Sequence, residues 1–182
     1  MGAAIAVATV AGGCGGGRPP ATSGLLAAGE RMPTGIAVTS TAFAAGRPIP
    51  ERFSCEGFNV PPPLHWKGVP AGTRELALVI EDPGAPDGIF VQWLVVGIRP
   101  AITALVDERP PAGAEVLPGS SDNPEYIGPC PPNGDPAHHY VFEVYALRRR
   151  PVLAPASSPV DKVRALRKAA VAGGSLVGTF SR

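Results

Sequence analysis

The segment from Tyr126 to Tyr140, Tyr-Ile-Gly-Pro-Cys-Pro-Pro-Asn-Gly-Asp-Pro-Ala-His-His-Tyr, leaves the chain few ways to fold. Its four prolines fix φ and remove backbone donors, which makes Pro131-Pro132 a stiff, extended element. Gly128 and Gly134 supply turns that bulkier residues resist, and they let a ligand approach the main chain. Directly behind comes a strand-like run, Tyr140-Val141-Phe142-Glu143-Val144-Tyr145-Ala146-Leu147. A rigid loop feeding a strand is either a holder for a small concave site or an ordinary Pro/Gly connection. These residues alone do not separate the two.

A second stretch does. Glu75 to Glu81 reads as a buried strand and ends in Asp82-Pro83-Gly84-Ala85-Pro86-Asp87-Gly88; another apolar strand, Phe90 to Ile98, follows. The order Asp-Pro-x-Ala-Pro, apolar strand, Tyr-x-Gly-Pro-Cys-Pro-Pro and His-x-Tyr resembles the phosphatidylethanolamine-binding protein family, in its bacterial Raf-kinase-inhibitor-like branch. Further matches are Phe53-Ser54-Cys55-Glu56-Gly57 with Asn59, Pro62-Pro63-Leu64-His65-Trp66, and Leu176 to Arg182. The resemblance runs in register from about Thr34 to Arg182, which makes it far more specific than any one motif.

The resemblance implies an antiparallel β-sandwich with a C-terminal helix and short peripheral helices. It also implies a small pocket for a phosphate-type anion or phospholipid head group. Carried onto this chain, the pocket wall is Asp82, Ala85, Pro86, Gln92, Tyr126, Gly128, Pro131, Pro132, His138 and Tyr140. Tyrosine hydroxyls, the imidazole and glycine amides are suitable donors to phosphoryl oxygens. A carboxylate repels phosphate, so Asp82 must be protonated by burial, paired with His138, or set to meet an ethanolamine ammonium; its alternative role is to cap the turn before Pro83. Gln92 stands where the family usually has histidine and cannot become cationic, so anion binding is expected to be weaker and less sensitive to pH. Strict alternation puts Gln92 on one strand face with Phe90, Leu94 and Val96. His139 is expected at the surface, and His65 to be a packed, half-exposed residue. The family also implies a second kind of partner, a kinase or peptidase inhibited through the surface.

At 182 residues the chain holds one domain, 34–182, behind a Gly/Ala/Pro linker, 15–33, and a signal-like segment, 1–14. With 23 glycines and 23 prolines it is expected to be rich in turns and strands. A net charge of +1 argues against a general nucleic-acid binder, and the basic residues at 148–150 and 162–168 read as solvated surface. Ala3 to Ala11 is too short an apolar run to span a bilayer, which takes about 20 residues. The small residues before Cys14 resemble a lipoprotein signal, although no basic residue precedes the run and Ala11 replaces a larger aliphatic one. A lipid-anchored or secreted envelope protein is expected, with a cytoplasmic one as the alternative. Export favours a disulfide between Cys55 and Cys130; two free thiols are the other reading.

Short strands are expected over 36–40, 41–43 and 102–105, and an irregular segment over 107–123. One helix is expected, capped by Ser158, begun at Pro159, favoured by Asp161, periodic through Val160, Val163, Leu166 and Ala170, and stopped by Gly173-Gly174. No Gly-x-Ser-x-Gly is present, and Cys130 with His138 is the one nucleophile–base pairing to consider. The histidines and cysteines have no metal-ligand spacing. A non-enzymatic binding module without cofactor or metal is the expectation.

Overall fold

The computed structural model describes residues 34–182; the signal-like segment with Cys14 and the 15–33 linker lie outside the described residues. In chain order the strands are β1 (Ala37–Thr39), β2 (Leu64–Lys67), β3 (Glu75–Asp82), β4 (Phe90–Ile98), β5 (Ala104–Leu105), β6 (Glu115–Leu117), β7 (His138–Leu147) and β8 (Ala170–Phe180). A 3-10 turn covers Glu51–Phe53, and the helix α1 covers Pro159–Ala169. All strand pairs are antiparallel and form two sheets, β1-β2-β5 and β6-β4-β3-β7-β8.

The larger sheet is covered on both faces, which explains why β3 reads as an unbroken apolar run rather than an alternating one. Toward the smaller sheet, Leu76, Leu78, Ile80, Trp93, Val95, Phe142 and Val144 pack against Val38, Leu64 and Trp66. On the opposite face, Val79, Leu94, Val96, Tyr145 and Leu147 pack against Val163 and Leu166 of α1. Ser158 caps this helix by accepting from the Asp161 amide, and Pro159 opens its first turn. No helix among the described residues is long and apolar enough to cross a membrane.

Several expectations need correction. The 41–43 segment is no strand: the Ser40 hydroxyl accepts from the Ala42 amide and donates to the Pro63 carbonyl, bending the chain so that Phe43 packs on Phe142. The irregular 107–123 segment contains β6, which pairs with the edge of β4. Gly173-Gly174 do not stop the helix, which gives way to β8 at Ala170; they lie within that strand because another chain segment crosses it. A Cβ on Gly174 would stand 1.9 Å from the Ile36 carbonyl oxygen, and the Ile36 amide donates to the Gly173 carbonyl. Finally, the register of β3 against β4 shifts between Ile80–Trp93 and Glu81–Val91, so a bulge at Gln92 breaks the strict alternation. Val91, rather than Phe90 and Gln92, joins Leu94 and Val96 beneath the helix.

The unpaired outer side of β8 is taken by the 36–49 segment. The Gly46 and Ile49 amides donate to the Val177 and Thr179 carbonyls, and the Thr179 amide donates to Arg47.

The basic residues are not all solvated either. Arg167 on α1 is 6% exposed and donates to Glu81, Glu143 and the Tyr145 hydroxyl at 3.0 Å each. The Tyr145 hydroxyl in turn donates to Glu143. Two carboxylates on adjacent strands thus share a buried guanidinium at the helix–sheet interface. Arg167→Met is expected to cost about 3–5 kcal/mol because both carboxylates lose their counter-charge in place. Urea denaturation measures it, and adding Glu81→Gln and Glu143→Gln should recover most of the loss.

Candidate functional site

Alternation along β3 and β7 decides what meets at one end of the sandwich. Asp82 continues the face of Leu78 and Ile80, while His138 and Tyr140 continue the face of Phe142 and Val144. With Glu81 opposite Val141, the register sets Asp82 across from Tyr140 and diagonal to His138. The 82–88 and 126–140 turns, far apart in sequence, therefore converge. His138 Nδ1 lies 2.7 Å from Asp82 Oδ2, and the other oxygen of Asp82 accepts from the Gly84 amide at 2.9 Å. Asp82 thus both closes its own turn and orients the imidazole. The far ring nitrogen, His138 Nε2, is 3.7 Å from Asp135 Oδ2.

Outside this pair is a cavity of about 560 Å³, lined by Pro83, Gly84, Asp135, Pro136, Ala137 and the two histidines. Tyr140 stacks on His138, ring centroids 6.5 Å apart, and its buried hydroxyl makes no hydrogen bond of ordinary geometry. That hydroxyl lies close to both Asp82 and the Cys130 amide. Burial, reinforced by the Asp82 charge, pushes its pKa well above the ordinary tyrosine value.

The remaining wall residues divide. The Tyr126 hydroxyl donates to the Phe53 carbonyl at 2.8 Å, and the Gly128 amide to Asn59 Oδ1 at 2.7 Å. Both donors therefore hold the loop rather than face a ligand. A Cβ on Gly128 would sit 2.4 Å from the Phe53 carbonyl oxygen, so only glycine lets the loop lie this close to the 53–59 segment. Cys55 and Cys130 form a disulfide across the same seam, and the Cys55 amide donates to the Pro129 carbonyl. Pro131 is buried, while Pro132 and Pro86 are exposed and Ala85 is half-buried. Gln92 is buried in its bulge with Oε1 unpartnered among the described residues. His139 and His65 are both exposed.

Sequence reasoning missed Arg182 and Asp135. Arg182 turns back onto the loop, donating from Nε to the Pro131 carbonyl at 2.7 Å and from its fork to Glu56 at 3.1 Å. Its charge reaches the Tyr140 hydroxyl. The sequence offers no signal for this. Asp135 was in plain view, three residues before His138, a spacing that a turn brings together. Among the described residues no group of histidine, cysteine or acidic side chains is arranged to hold a metal ion.

The model of the family described as "Phosphatidylethanolamine-binding protein" matches residues 39–181. The chain belongs to that family. A Mycobacterium tuberculosis protein named "Putative lipoprotein LppC" is 41% identical over 188 aligned positions, covering 98% of this chain and 93% of that one. The crystal structure of Escherichia coli YbcL, described as a member of the mammalian PEBP family, superposes with a TM-score of 0.73 at 29% identity, covering 82% of this chain and 99% of YbcL. A carboxypeptidase Y inhibitor, solved in complex with its cognate proteinase, shares the fold at 19% identity and a TM-score of 0.54, over 82% of this chain and 84% of the inhibitor.

Two outcomes follow from the loop's attachment. Replacing Cys55 and Cys130 together by alanine should lower stability by about 2–5 kcal/mol in urea denaturation, since the bridge closes a long loop. Burial also raises the Tyr126 hydroxyl's pKa, with a smaller contribution from Tyr140. For a folded-state value above the unfolded one, the stabilisation is complete below the ordinary tyrosine value of 10.0 and lost as pH climbs beyond it. Urea midpoints should therefore fall between about pH 9 and about pH 11, and fall less in Tyr126→Phe.

Proposed function

We propose that the protein binds a small anion or a phospholipid head group in the cavity outside the Asp82–His138 pair. The observation that carries this reading is the orientation of His138. Nδ1 is held by Asp82 at 2.7 Å, while Nε2 is 3.7 Å from Asp135 Oδ2, too far for a hydrogen bond, so that edge can serve a ligand in a cavity that His138 and Asp135 both line. The Tyr140 ring, stacked on His138, backs the imidazole from the sheet side. Pairing with His138 is the arrangement under which Asp82 can sit beside an anion. Asp135, at the rim, suits the ammonium of a zwitterionic phosphoethanolamine head group.

Binding rather than catalysis is favoured by Cys130, whose sulfur is bonded to Cys55 and so has no free thiol to act as nucleophile. An envelope location, with a lipid on Cys14 as tether, is supported by the lipoprotein name of the mycobacterial relative and by its alignment over nearly the whole chain. A second reading, inhibition of a kinase or peptidase through the surface, draws on the inhibitor that shares the fold. It is favoured by Phe58, which is 74% exposed and held by the Arg52 guanidinium 5.4 Å from its ring centroid.

Thermal unfolding with phosphate, phosphoethanolamine and cacodylate tests the site. Ligand at about 100 times Kd should add about 2.7 kcal/mol of stability, absent in Asp82→Ala and His138→Ala. No shift with any of the three, together with a kinase or peptidase recovered through Phe58, would favour the second reading.

A further inference from the structure

A second cavity, of about 340 Å³, shares no lining residue with the one at His138. It lies between β6, the 150–155 segment and the first turn of α1. Leu117, Pro118, Leu153 and Pro155 form apolar walls, while Lys162, Arg150 and Glu115 supply the charge. Its volume is at the small end of ligand cavities.

Lys162 makes this more than a crevice. It is 7% exposed, and its ammonium donates to the Pro155 carbonyl at 3.4 Å. The acidic groups around it are engaged elsewhere: Asp161 with Ser158 and Arg164, Glu115 with Arg150. Among the described residues no carboxylate comes within ion-pair distance of Lys162. An ammonium has three donors, and one long bond to a neutral carbonyl leaves it short of partners. Its place in the first turn of the helix adds to the cost, since the positive end of the dipole repels a cation. A buried cation in this state calls for an anion.

The neighbouring Arg150 is held from one side by both oxygens of Glu75, at 2.9 and 3.1 Å, and reaches Glu115 from the other at 2.9 Å. Glu115 is 58% exposed, so this pair is weak, but the Arg150 charge is already met by Glu75, which leaves Lys162 as the uncompensated cation of the cavity. One buried positive charge beside apolar walls matches a single-charged head with an apolar body better than it matches a phosphate, whose second charge would need further donors.

We infer that this cavity binds a carboxylate bearing a short apolar chain, of the medium-chain fatty-acid class, with its head on Lys162 and its chain against Leu117, Pro118, Leu153 and Pro155. The inference stands apart from the reading of the Asp82 site.

Calorimetric titration of the full chain with sodium octanoate, octanol and sodium acetate tests it. Octanoate should saturate a single site, and octanol and acetate should each bind at least about tenfold more weakly. Lys162→Met keeps the aliphatic stem, so the fold should persist while octanoate affinity drops by about tenfold or more. Leu153→Trp fills the cavity from a surface loop and should abolish binding, which decides the matter if the lysine variant does not fold. His138→Ala should leave octanoate binding unchanged. Absence of octanoate binding, equal binding of octanol, or undiminished affinity in Leu153→Trp would overturn the assignment.

Discussion

Coverage of both faces of the five-stranded sheet is the constraint from which the rest of the molecule follows. A strand buried on both sides has no solvent to receive a polar side chain, so every charge on it must find a partner. β3 ends in two such charges on consecutive residues, and the period of two sends them to opposite faces. Glu81 goes under the helix to Arg167, and Asp82 goes to the mouth of the sandwich and His138. One ties α1 to the sheet; the other ties two turns to each other. A strand end thus supplies two ties on opposite faces without any irregularity of its own.

The end of the sandwich at Asp82 and His138 is held from outside as much as from within. The 126–134 stretch is tied to the 53–59 segment by a disulfide, by the Tyr126 hydroxyl, by the Gly128 amide and by the Pro129 carbonyl. Arg182 adds a contact from the far end of β8. The prolines limit what the loop can do in the unfolded chain, and these attachments fix where it sits in the folded one. His138 and Tyr140 follow on a continuous strand, so their positions inherit the rigidity of the sheet.

Much of this was legible in the residues, and the reasons are physical. β3, β4 and β7 declared themselves because long apolar runs can only be buried. The helix declared itself through Ser158, Pro159 and a periodic apolar stripe. β5 was legible within the expected 102–105 strand, but β6 is three residues long and exists by virtue of the strand beside it, so composition has little to say about it. Gly173 and Gly174 misled because glycine serves equally to end a helix and to admit a crossing chain, and the crossing segment lies more than a hundred residues earlier. The bulge at Gln92 was invisible for a related reason: a single extra residue in the pairing leaves no mark on the strand itself. The meeting of Asp82 with His138 came from family resemblance rather than from pattern. Glu81 and Glu143, by contrast, were a signal that could have been used, since acidic residues inside apolar strands imply a buried cation nearby.

The crossing of β8 by the 36–49 segment has a consequence beyond local packing. An edge strand with open amides and carbonyls is a template on which another copy can add a strand, and long edge strands are the usual starting point of aggregation. Here the eleven-residue β8 has its outer groups occupied at Gly173, Val177 and Thr179, while the opposite border is the three-residue β6. The glycines that permit this close crossing therefore act against self-association, leaving the sheet little free border along which to grow.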